Sequence, residues 1–328
     1  MADYTEHFVT APDGVRLCVH TLGEGPLVLM VHGWPDAWIS WRPQMEALAA
    51  AGYRAAAIDV RGYGGSGAPH EVSSYTMLNH CADNAAAIAA LSDDGTAVIV
   101  GHDWGAPIVY NTAVVHPERI RALIGLSSTP HKYTVNPRDY WEKRYPKELF
   151  YQHYFNRFEG QAEAEFEGDL ERFVRVMHYN LSGDAPQDTL VALLRPEGST
   201  TLLDGLPEPD PMPHWMNPAE VAEYAELFRR NGMRGPLNRY RAQDIDWQEM
   251  APWRGRKIQQ PAIFVGGTRE GSRFMDGYDR YADADWNYAD SRGVFLIEGA
   301  GHWIQREATG ELNAHILRFL ESLDGKRA

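Results

Sequence analysis

Short apolar runs alternate with helix-like segments over residues 1–128. Runs of apolar residues predict strands at Val15–Thr21, Leu27–His32, Arg54–Val60, Ala97–Val100 and Ile120–Leu126. Helical spacing of apolar residues, closed by Gly or Pro, predicts helices at Trp41–Ala51, Tyr75–Leu91 and Ala106–His116. Short apolar strands separated by helices are typical of a parallel sheet that is covered on both faces. This part of the chain therefore predicts an α/β fold with a mostly parallel central sheet.

The pattern changes between Thr129 and about Asn238. Aromatic and amphipathic segments dominate there, with a Pro-rich link at Leu206–Pro218, and no strand–helix alternation is visible. The alternation then resumes with strands at Pro261–Val265 and Gly293–Ile297 and a final helix from Ala308 to Leu323. We therefore predict an α/β core formed by residues 1–128 and 239–328, with a helical cap inserted at residues 129–238.

Composition and charge narrow the class of protein. The chain has 328 residues, 44% of them hydrophobic and 23% charged, which is enough for one large domain with an insertion. The formal net charge of −14 argues against nucleic acid and anionic membrane surfaces as partners. No apolar run approaches the roughly 20 residues that a membrane-spanning helix needs. We therefore expect neither nucleic acid nor a membrane as the partner of this protein.

The N-terminus and the cysteines indicate the compartment. The first ten residues lack the basic segment and apolar core of a secretory signal. Cys18 and Cys81 form no disulfide framework and show no zinc-type spacing with another Cys or His, so we interpret both as buried small apolar residues. These features predict a cytoplasmic protein without a bound metal.

The stretch Gly101–Ala106, GHDWGA, follows an apolar strand and precedes a helix. Its small residues have the spacing of the G-x-S-x-G turn that exposes a nucleophilic serine in some hydrolases. Here the central residue is Asp103. One interpretation is a helix cap that accepts backbone N–H groups; the other is a carboxylate nucleophile. The context of strand, turn and helix favours the nucleophile.

A histidine and an acid follow in the chain order that this turn predicts, namely nucleophile, acid and then histidine. His302 lies in a Gly-rich loop after the last predicted strand, where a general base is expected, whereas His315 lies on the final helix and is interpreted as a packing residue. Glu270 is the first carboxylate after the preceding strand, and Asp276 and Asp279 lie further along. We therefore predict that Glu270 orients His302.

Two backbone N–H groups are candidates for binding an oxyanion. Trp34 follows the second core strand, and Trp104 follows Asp103, which are the two places from which such donors are expected. A Gly-rich stretch at residues 62–67 matches the pattern G-x-G-x-x-G, but no helix opens directly after it. We therefore reject a dinucleotide site, and no cofactor is expected.

Four motifs resemble those of epoxide hydrolases with the α/β-hydrolase fold, and the resemblance covers nearly the whole chain. They are HGWPD at 32–36, RGYGGS at 61–66, GHDWGA at 101–106 and GAGHW at 299–303. Family members carry two cap tyrosines that hold and protonate the epoxide oxygen. The matching segments place these roles on Tyr151 and Tyr240, with Tyr154 as the rival of Tyr151. The sequence departs from the family pattern at Glu270, where Asp is commoner, and at Trp34, where Phe is commoner.

The resemblance implies hydrolysis of an epoxide to a vicinal diol through an ester on Asp103, without metal or cofactor. The alternatives are a haloalkane dehalogenase, which also uses an Asp nucleophile, and a ligand-binding protein without activity. A bulky apolar or aromatic epoxide is expected if cap aromatics line the pocket; the candidates are Tyr133, Tyr140, Trp141, Phe155 and Trp215. The sequence leaves open whether the pathway is xenobiotic or natural-product metabolism, and leaves the oligomeric state open with a homodimer as one candidate.

Overall fold

An eight-stranded sheet forms the centre of the computed structural model, which describes residues 2–132, 134–157, 160–186 and 192–323. The sheet order is β1-β2-β4-β3-β5-β6-β9-β10. The strands are β1 (Thr5–Thr10), β2 (Arg16–Leu22), β3 (Leu27–Val31), β4 (Arg54–Ile58), β5 (Ala97–His102), β6 (Ile120–Leu126), β9 (Ile258–Gly267) and β10 (Tyr288–Ile297), and a separate two-stranded ribbon contains β7 (Leu149–Phe150) and β8 (Leu194–Arg195). Strands β1, β2 and β4 pair antiparallel, and the pairs from β4 to β10 are parallel.

Helices flank the sheet and fill the segment between β6 and β9. They are α1 (Arg42–Ala50), α2 (Met77–Leu91), α3 (Gly105–Val115), α4 (Pro137–Arg144), α5 (Tyr151–Arg157), α6 (Gln161–Gly168), α7 (Leu170–Leu181), α8 (Pro218–Asn231), α9 (Arg234–Arg241), α10 (Gln243–Glu249), α11 (Ile304–Glu307) and α12 (Thr309–Leu323). Helices α2 and α3 pack on each other, whereas α1 packs against α11 and α12. The mostly parallel sheet with flanking helices confirms the predicted fold class.

The central strands are buried along their whole length. Every residue of β3 and β5 is buried, which is the reason that their sequences are apolar throughout instead of alternating. In a parallel sheet of this kind, the loops at the carboxyl ends of the strands meet along one edge. The loops after β3, β5, β6, β9 and β10 carry Trp34, Asp103, Ser127, Glu270 and His302. The fold therefore collects these residues in one place.

Helices α4 to α10 form the segment that precedes β9. Side chains fix where these helices begin: Asp169 accepts the Arg172 N–H at the start of α7, and Asn217 accepts the Glu220 N–H at the start of α8. The boundary predicted at residues 238 and 239 falls inside α9, so the chain makes no break at that point. Among the described residues, no helix has the length and apolar character that crossing a membrane requires.

Candidate active site

Asp103 occupies a tight turn between the end of β5 and the start of α3. Its φ of 52° lies in the left-handed region, which Asp tolerates better than most residues. The flanking glycines are required by close contacts. A Cβ at Gly101 would lie 2.2 Å from the Gly105 carbonyl oxygen, and a Cβ at Gly105 would lie 2.0 Å from the Val31 carbonyl oxygen. The turn therefore presents Asp103 at the edge of the sheet and leaves no room for larger neighbours.

Both oxygens of the Asp103 carboxylate have partners. Oδ1 accepts the Trp34 N–H at 2.7 Å, and Oδ2 lies 3.4 Å from His302 Nε2. Burial alone would raise the pKa of Asp103, but the hydrogen bond and charge of His302 and the Trp34 N–H lower it below its usual value. A Cβ at Gly33 would approach both Asp103 Oδ1 and the Trp104 backbone nitrogen, at 2.3 and 2.5 Å. The two predicted oxyanion donors, Trp34 and Trp104, thus lie beside the same carboxylate.

His302 is held between two carboxylates. Its Nδ1 lies 2.6 Å from Glu270 Oε2, and the two side chains are both buried. Burial would lower the pKa of His302, but the negative charges and hydrogen bonds of Glu270 and Asp103 raise it well above its usual value. The structure therefore brings Asp103, His302 and Glu270 together, with the imidazole between the two carboxylates.

Two residues that the sequence analysis did not single out hold the backbone of His302. The His302 carbonyl oxygen lies 2.7 Å from His102 Nε2 and accepts the Ser127 hydroxyl at 2.9 Å. His102 immediately precedes Asp103, and its Nδ1 lies 3.6 Å from the buried carboxylate of Asp36. The proximity of His102 to the nucleophile in sequence is a signal that could have identified it, whereas Ser127 is brought in by the fold alone.

The two predicted cap tyrosines both line the cavity above Asp103. The rings of Tyr151 and Tyr240 have centroids 5.6 Å apart and stand nearly perpendicular. Burial and the charges of Tyr151 and Asp103 raise the pKa of Tyr240 well above its usual value, so this phenol stays protonated. Tyr154 instead donates its hydroxyl to Glu165 Oε2 at 2.6 Å and is fully buried. Tyr151 thus lines the cavity, whereas Tyr154 is not among the lining residues.

A chain of two amides reaches Tyr151. Gln243 Nε2 donates to Gln152 Oε1 at 3.0 Å, and Gln152 Nε2 donates to the Tyr151 hydroxyl oxygen at 2.7 Å. The first contact fixes which end of the Gln152 amide faces Tyr151. Because Tyr151 accepts a hydrogen bond from Gln152, its own hydroxyl proton is directed elsewhere. Although Gln152 is next to Tyr151 in the chain, the sequence did not predict these hydrogen bonds.

The cavity at Asp103 has a volume of about 230 Å³ and extends along α3 toward the segment Ala251–Trp253. Aromatic and apolar side chains supply much of its wall: Trp34, Trp104, Trp141, Leu181, Leu193, Met250, Trp253, Met275 and Trp286. Of the cap aromatics proposed as lining residues, Trp141 is in this wall. Phe155 and Trp215 are buried in the core, Tyr140 lies in a neighbouring groove, and Tyr133 lies outside the described residues.

One further side-chain cluster lies on β1 and β2. Ligand atoms of Glu6, Cys18 and His20 are within 4.8 Å of one another, a grouping that the sequence analysis did not anticipate. His20 Nε2 also lies 3.3 Å from Asp59 Oδ2. Burial and the charges of Asp59 and Glu6 raise the pKa of the Cys18 thiol to about 12, which keeps it protonated. His20 is the common neighbour of the cluster, because its Nε2 also lies 3.5 Å from Cys18 Sγ and its Nδ1 lies 3.9 Å from Glu6 Oε1.

Known proteins resemble this chain over almost its whole length. The profile of the alpha/beta hydrolase fold family matches residues 26–309. Epoxide hydrolase A of Mycobacterium tuberculosis is 38% identical, with 98% of each chain covered. An epoxide hydrolase of Caballeronia sordidicola is 35% identical, covering 96% of this chain and 93% of that one. The solved structure of an epoxide hydrolase from an endophytic Streptomyces has a TM-score of 0.90 at 40% identity, covering 98% and 96% of the two chains. The chain therefore belongs to the epoxide hydrolases of the α/β-hydrolase fold family.

Proposed function

We propose that this protein hydrolyses a small-molecule epoxide to a vicinal diol through a covalent ester on Asp103. The observation that carries the proposal is the placement of the Asp103 carboxylate. One of its oxygens accepts the Trp34 N–H, the other faces His302, and the cap tyrosines stand across the same cavity. A carboxylate suits attack on saturated carbon because the ester that it forms has a carbonyl that water can hydrolyse.

Ring opening is the first step. An Asp103 oxygen attacks one epoxide carbon, the bond from that carbon to the ring oxygen breaks, and the oxygen leaves as an alkoxide on the neighbouring carbon. Tyr151 and Tyr240 donate hydrogen bonds to this oxygen and one of them gives it a proton, which leaves a hydroxyalkyl ester and a tyrosinate. The Gln152 amide supports this role, because its N–H donates to Tyr151 and frees the Tyr151 proton for the substrate.

Ester hydrolysis is the second step. His302 takes a proton from a water molecule, and the hydroxide attacks the ester carbonyl of Asp103 while the Trp34 and Trp104 N–H groups stabilise the oxyanion. The bond from the carbonyl carbon to the ester oxygen breaks, and that oxygen takes the proton from His302. The restored Asp103 carboxyl gives its proton to the tyrosinate. The net reaction adds one water molecule to the epoxide.

Electrostatics support the order of the two steps. In the free enzyme Asp103 and Glu270 both raise the pKa of His302. Formation of the ester removes the negative charge of Asp103, so His302 loses one of its two anionic partners. The pKa of His302 then falls toward its ordinary value, so the imidazolium releases its proton to solvent and the neutral imidazole acts as the base.

A bulky apolar or aromatic epoxide is the substrate class that the cavity supports. Its wall is rich in Trp and Met side chains, and the hydrogen-bonding groups converge near Asp103.

We also propose that the protein acts in the cytoplasm, which the two buried free thiols of Cys18 and Cys81 support. We propose that the protein forms a homodimer, and light scattering of the purified protein tests this.

One turnover in ¹⁸O-water tests the ester mechanism. With enzyme in excess over an aryl epoxide, we expect label in the peptide that carries Asp103, and label in the diol only after further turnovers. Label in the diol after a single turnover, with none in the peptide, would contradict an ester on Asp103.

Two other functions predict different results. A haloalkane dehalogenase would release halide from haloalkanes without forming a diol from the epoxide. A ligand-binding protein would bind the epoxide stoichiometrically without turnover.

A further inference from the structure

The carboxylate of Glu307, at the end of α11, accepts three backbone hydrogen bonds. Oε2 accepts the N–H groups of Gly301 and Gly183 at 2.8 and 2.7 Å, and Oε1 accepts the N–H of Trp303 at 2.8 Å. Gly301 and Trp303 are the two neighbours of His302 in the chain. One side chain therefore accepts hydrogen bonds from the residues before and after His302.

The third donor belongs to the cap segment. Gly183 follows the end of α7, and the same segment supplies the Leu181 carbonyl oxygen, which accepts the His302 N–H at 3.0 Å. Glu307 and Leu181 thus connect the end of α7 to three consecutive N–H groups, those of residues 301, 302 and 303. The His302 loop is bonded to the cap through its backbone.

The two backbones meet so closely that only glycine fits. A Cβ at Gly183 would lie 2.1 Å from the Gly299 carbonyl oxygen, and a Cβ at Gly301 would lie 2.2 Å from the Gly183 nitrogen. Neither glycine has the positive φ that would by itself call for glycine. The close approach is therefore the reason for glycine at these positions, and it brings the Gly183 N–H within reach of Glu307.

We propose that Glu307 is a positioning residue for His302, which it holds through the two flanking peptides while fixing them to the end of cap helix α7. The inference rests on the proposed function, in which His302 acts as the base. Glu307 itself touches neither Asp103 nor the cavity wall. Its effect reaches the chemistry through the direction of the imidazole, whose nitrogens lie 2.6 Å from Glu270 and 3.4 Å from Asp103.

The two chemical steps depend on this contact unequally. Asp103 is placed by β5 and the start of α3, so attack on the epoxide does not require the His302 loop. Ester hydrolysis requires the imidazole at hydrogen-bond distance from a water molecule beside the ester carbonyl. Loss of the Glu307 contacts therefore slows the second step and spares the first, whereas general destabilisation has no such preference.

The variant Glu307→Gln tests the role directly. It keeps the shape of the side chain, but its NH₂ group cannot accept an N–H, so at least one flanking peptide loses its partner. Burial raises the pKa of Glu307 to about 7, although the three N–H donors act to lower it, so measurements belong at a pH well above that value. Glu307→Asp shortens the side chain and keeps the charge. Glu311→Gln, an exposed acid on α12, is the matched control.

The experiment mixes each enzyme rapidly with excess styrene oxide, quenches it with acid and quantifies the peptide that carries the Asp103 ester. For Glu307→Gln we expect the rate constant of ester formation to stay within about twofold of wild type. We expect that of ester hydrolysis to fall on the order of 10- to 100-fold, because a misplacement of about 1 Å costs on the order of 100-fold. The ester then accumulates, and Glu307→Asp recovers part of the loss.

Partial unfolding of a variant does not change this interpretation. Only folded enzyme forms the ester, so the rate constant of ester hydrolysis is measured on folded enzyme alone. If Glu307→Gln does not fold, Gly183→Ala provides the same measurement, because its methyl group forces the end of α7 away from the His302 loop. Equal slowing of both steps, or no slowing of hydrolysis, overturns the role of Glu307. Wild-type enzyme that forms no ester at all overturns the proposed function as well.

Discussion

Glu270 Oε2 lies 2.6 Å from His302 Nδ1, so the glutamate side chain joins the loop after β9 to the loop after β10. The other oxygen of Glu270 accepts the Ser272 N–H at 2.8 Å, so the carboxylate is fixed at both oxygens. Glutamate at a position where the family pattern more often has aspartate is therefore accommodated by the loop after β9. The imidazole that faces Asp103 therefore has a buried acidic partner whose two oxygens are both hydrogen-bonded.

Shortening this acid should slow ester hydrolysis. For Glu270→Asp we expect a loss of about 10- to 100-fold in the rate constant of ester hydrolysis, because a carboxylate displaced by about 1 Å no longer meets Nδ1. For Glu270→Gln, which no longer stabilises the imidazolium, the loss should reach up to about 10⁴-fold. Rapid-quench measurement of ester decay gives both values. Activity of Glu270→Asp equal to wild type would mean that the loop adapts to either acid.

Removal of either cap phenol should slow ring opening. In Tyr151→Phe and Tyr240→Phe the epoxide oxygen loses one of its two donors, and we expect ester formation to slow on the order of 10- to 100-fold, since general acid catalysis contributes roughly 10²- to 10⁴-fold. Tyr154→Phe is the control. It should leave ester formation unchanged and lower the free energy of unfolding by about 1 kcal/mol, because Glu165 loses a hydrogen bond. An equal kinetic effect of all three variants would refute the assignment of Tyr151.

Reversing the polarity of Gln152 should misdirect the Tyr151 proton. In Gln152→Glu the carboxylate accepts the Tyr151 hydroxyl instead of donating to it, so the proton no longer faces the substrate. We expect ester formation to slow by about tenfold or more, given the size of general acid contributions, with ester hydrolysis unchanged. Gln161→Glu, an exposed residue on α6, controls for the added charge. A normal rate of ester formation in Gln152→Glu would show that the amide has no role in catalysis.

The pairing of Glu270 with His302 should make stability depend on pH. The pKa of Glu270 is lowered from its ordinary 4.5, so its contribution is present above that value and is lost as the pH falls through the folded pKa. The pKa of His302 is raised from 6.5, so its contribution is complete below that value and is lost as the pH rises through the folded pKa. The difference in free energy of unfolding between wild type and Glu270→Gln should therefore be largest between about pH 5 and 6.5.

Urea unfolding at a series of pH values measures this difference. Glu298→Gln, which changes an exposed acid four residues before His302, should show a small and nearly constant difference from wild type. A difference for Glu270→Gln that does not fall as the pH rises above 6.5 would show that Glu270 does not raise the pKa of His302.

The order of strands and helices could be predicted from apolar patterning because the parallel strands are buried along their whole length. The errors fall at the sheet edges. Strand β1 went unpredicted, since most of its side chains are at least partly exposed and its pattern is weak. The strand predicted at Gly293–Ile297 begins at Tyr288 in the structure, because Asp290, Ser291 and Arg292 lie on the exposed edge and have no apolar signal.

The site residues also include some that the sequence could predict and some that it could not. Asp103, Glu270 and His302 each follow the end of a strand, and strand ends can be located from sequence. The choice between Tyr151 and Tyr154 could not be made, because both lie on one short helix and only the fold places Tyr151 in the cavity wall and Tyr154 beside Glu165. His102 could have been found from its position beside Asp103, whereas Ser127, Gln152 and Glu307 act through contacts with residues from other elements or through side-chain direction. No pattern along the chain records such contacts.

The backbone contact between Gly183 and Gly301 limits how caps could be exchanged between relatives. A cap taken from another family member could change the cavity wall through α4 and α5, but its chain must return past the His302 loop at a distance that admits no side chain. A transplanted cap with alanine at the position of Gly183 would push that loop away however well its own helices packed. Chimaeric enzymes should therefore join before Gly183, so that α4 and α5 come from the donor while the recipient keeps its own backbone contact with the His302 loop.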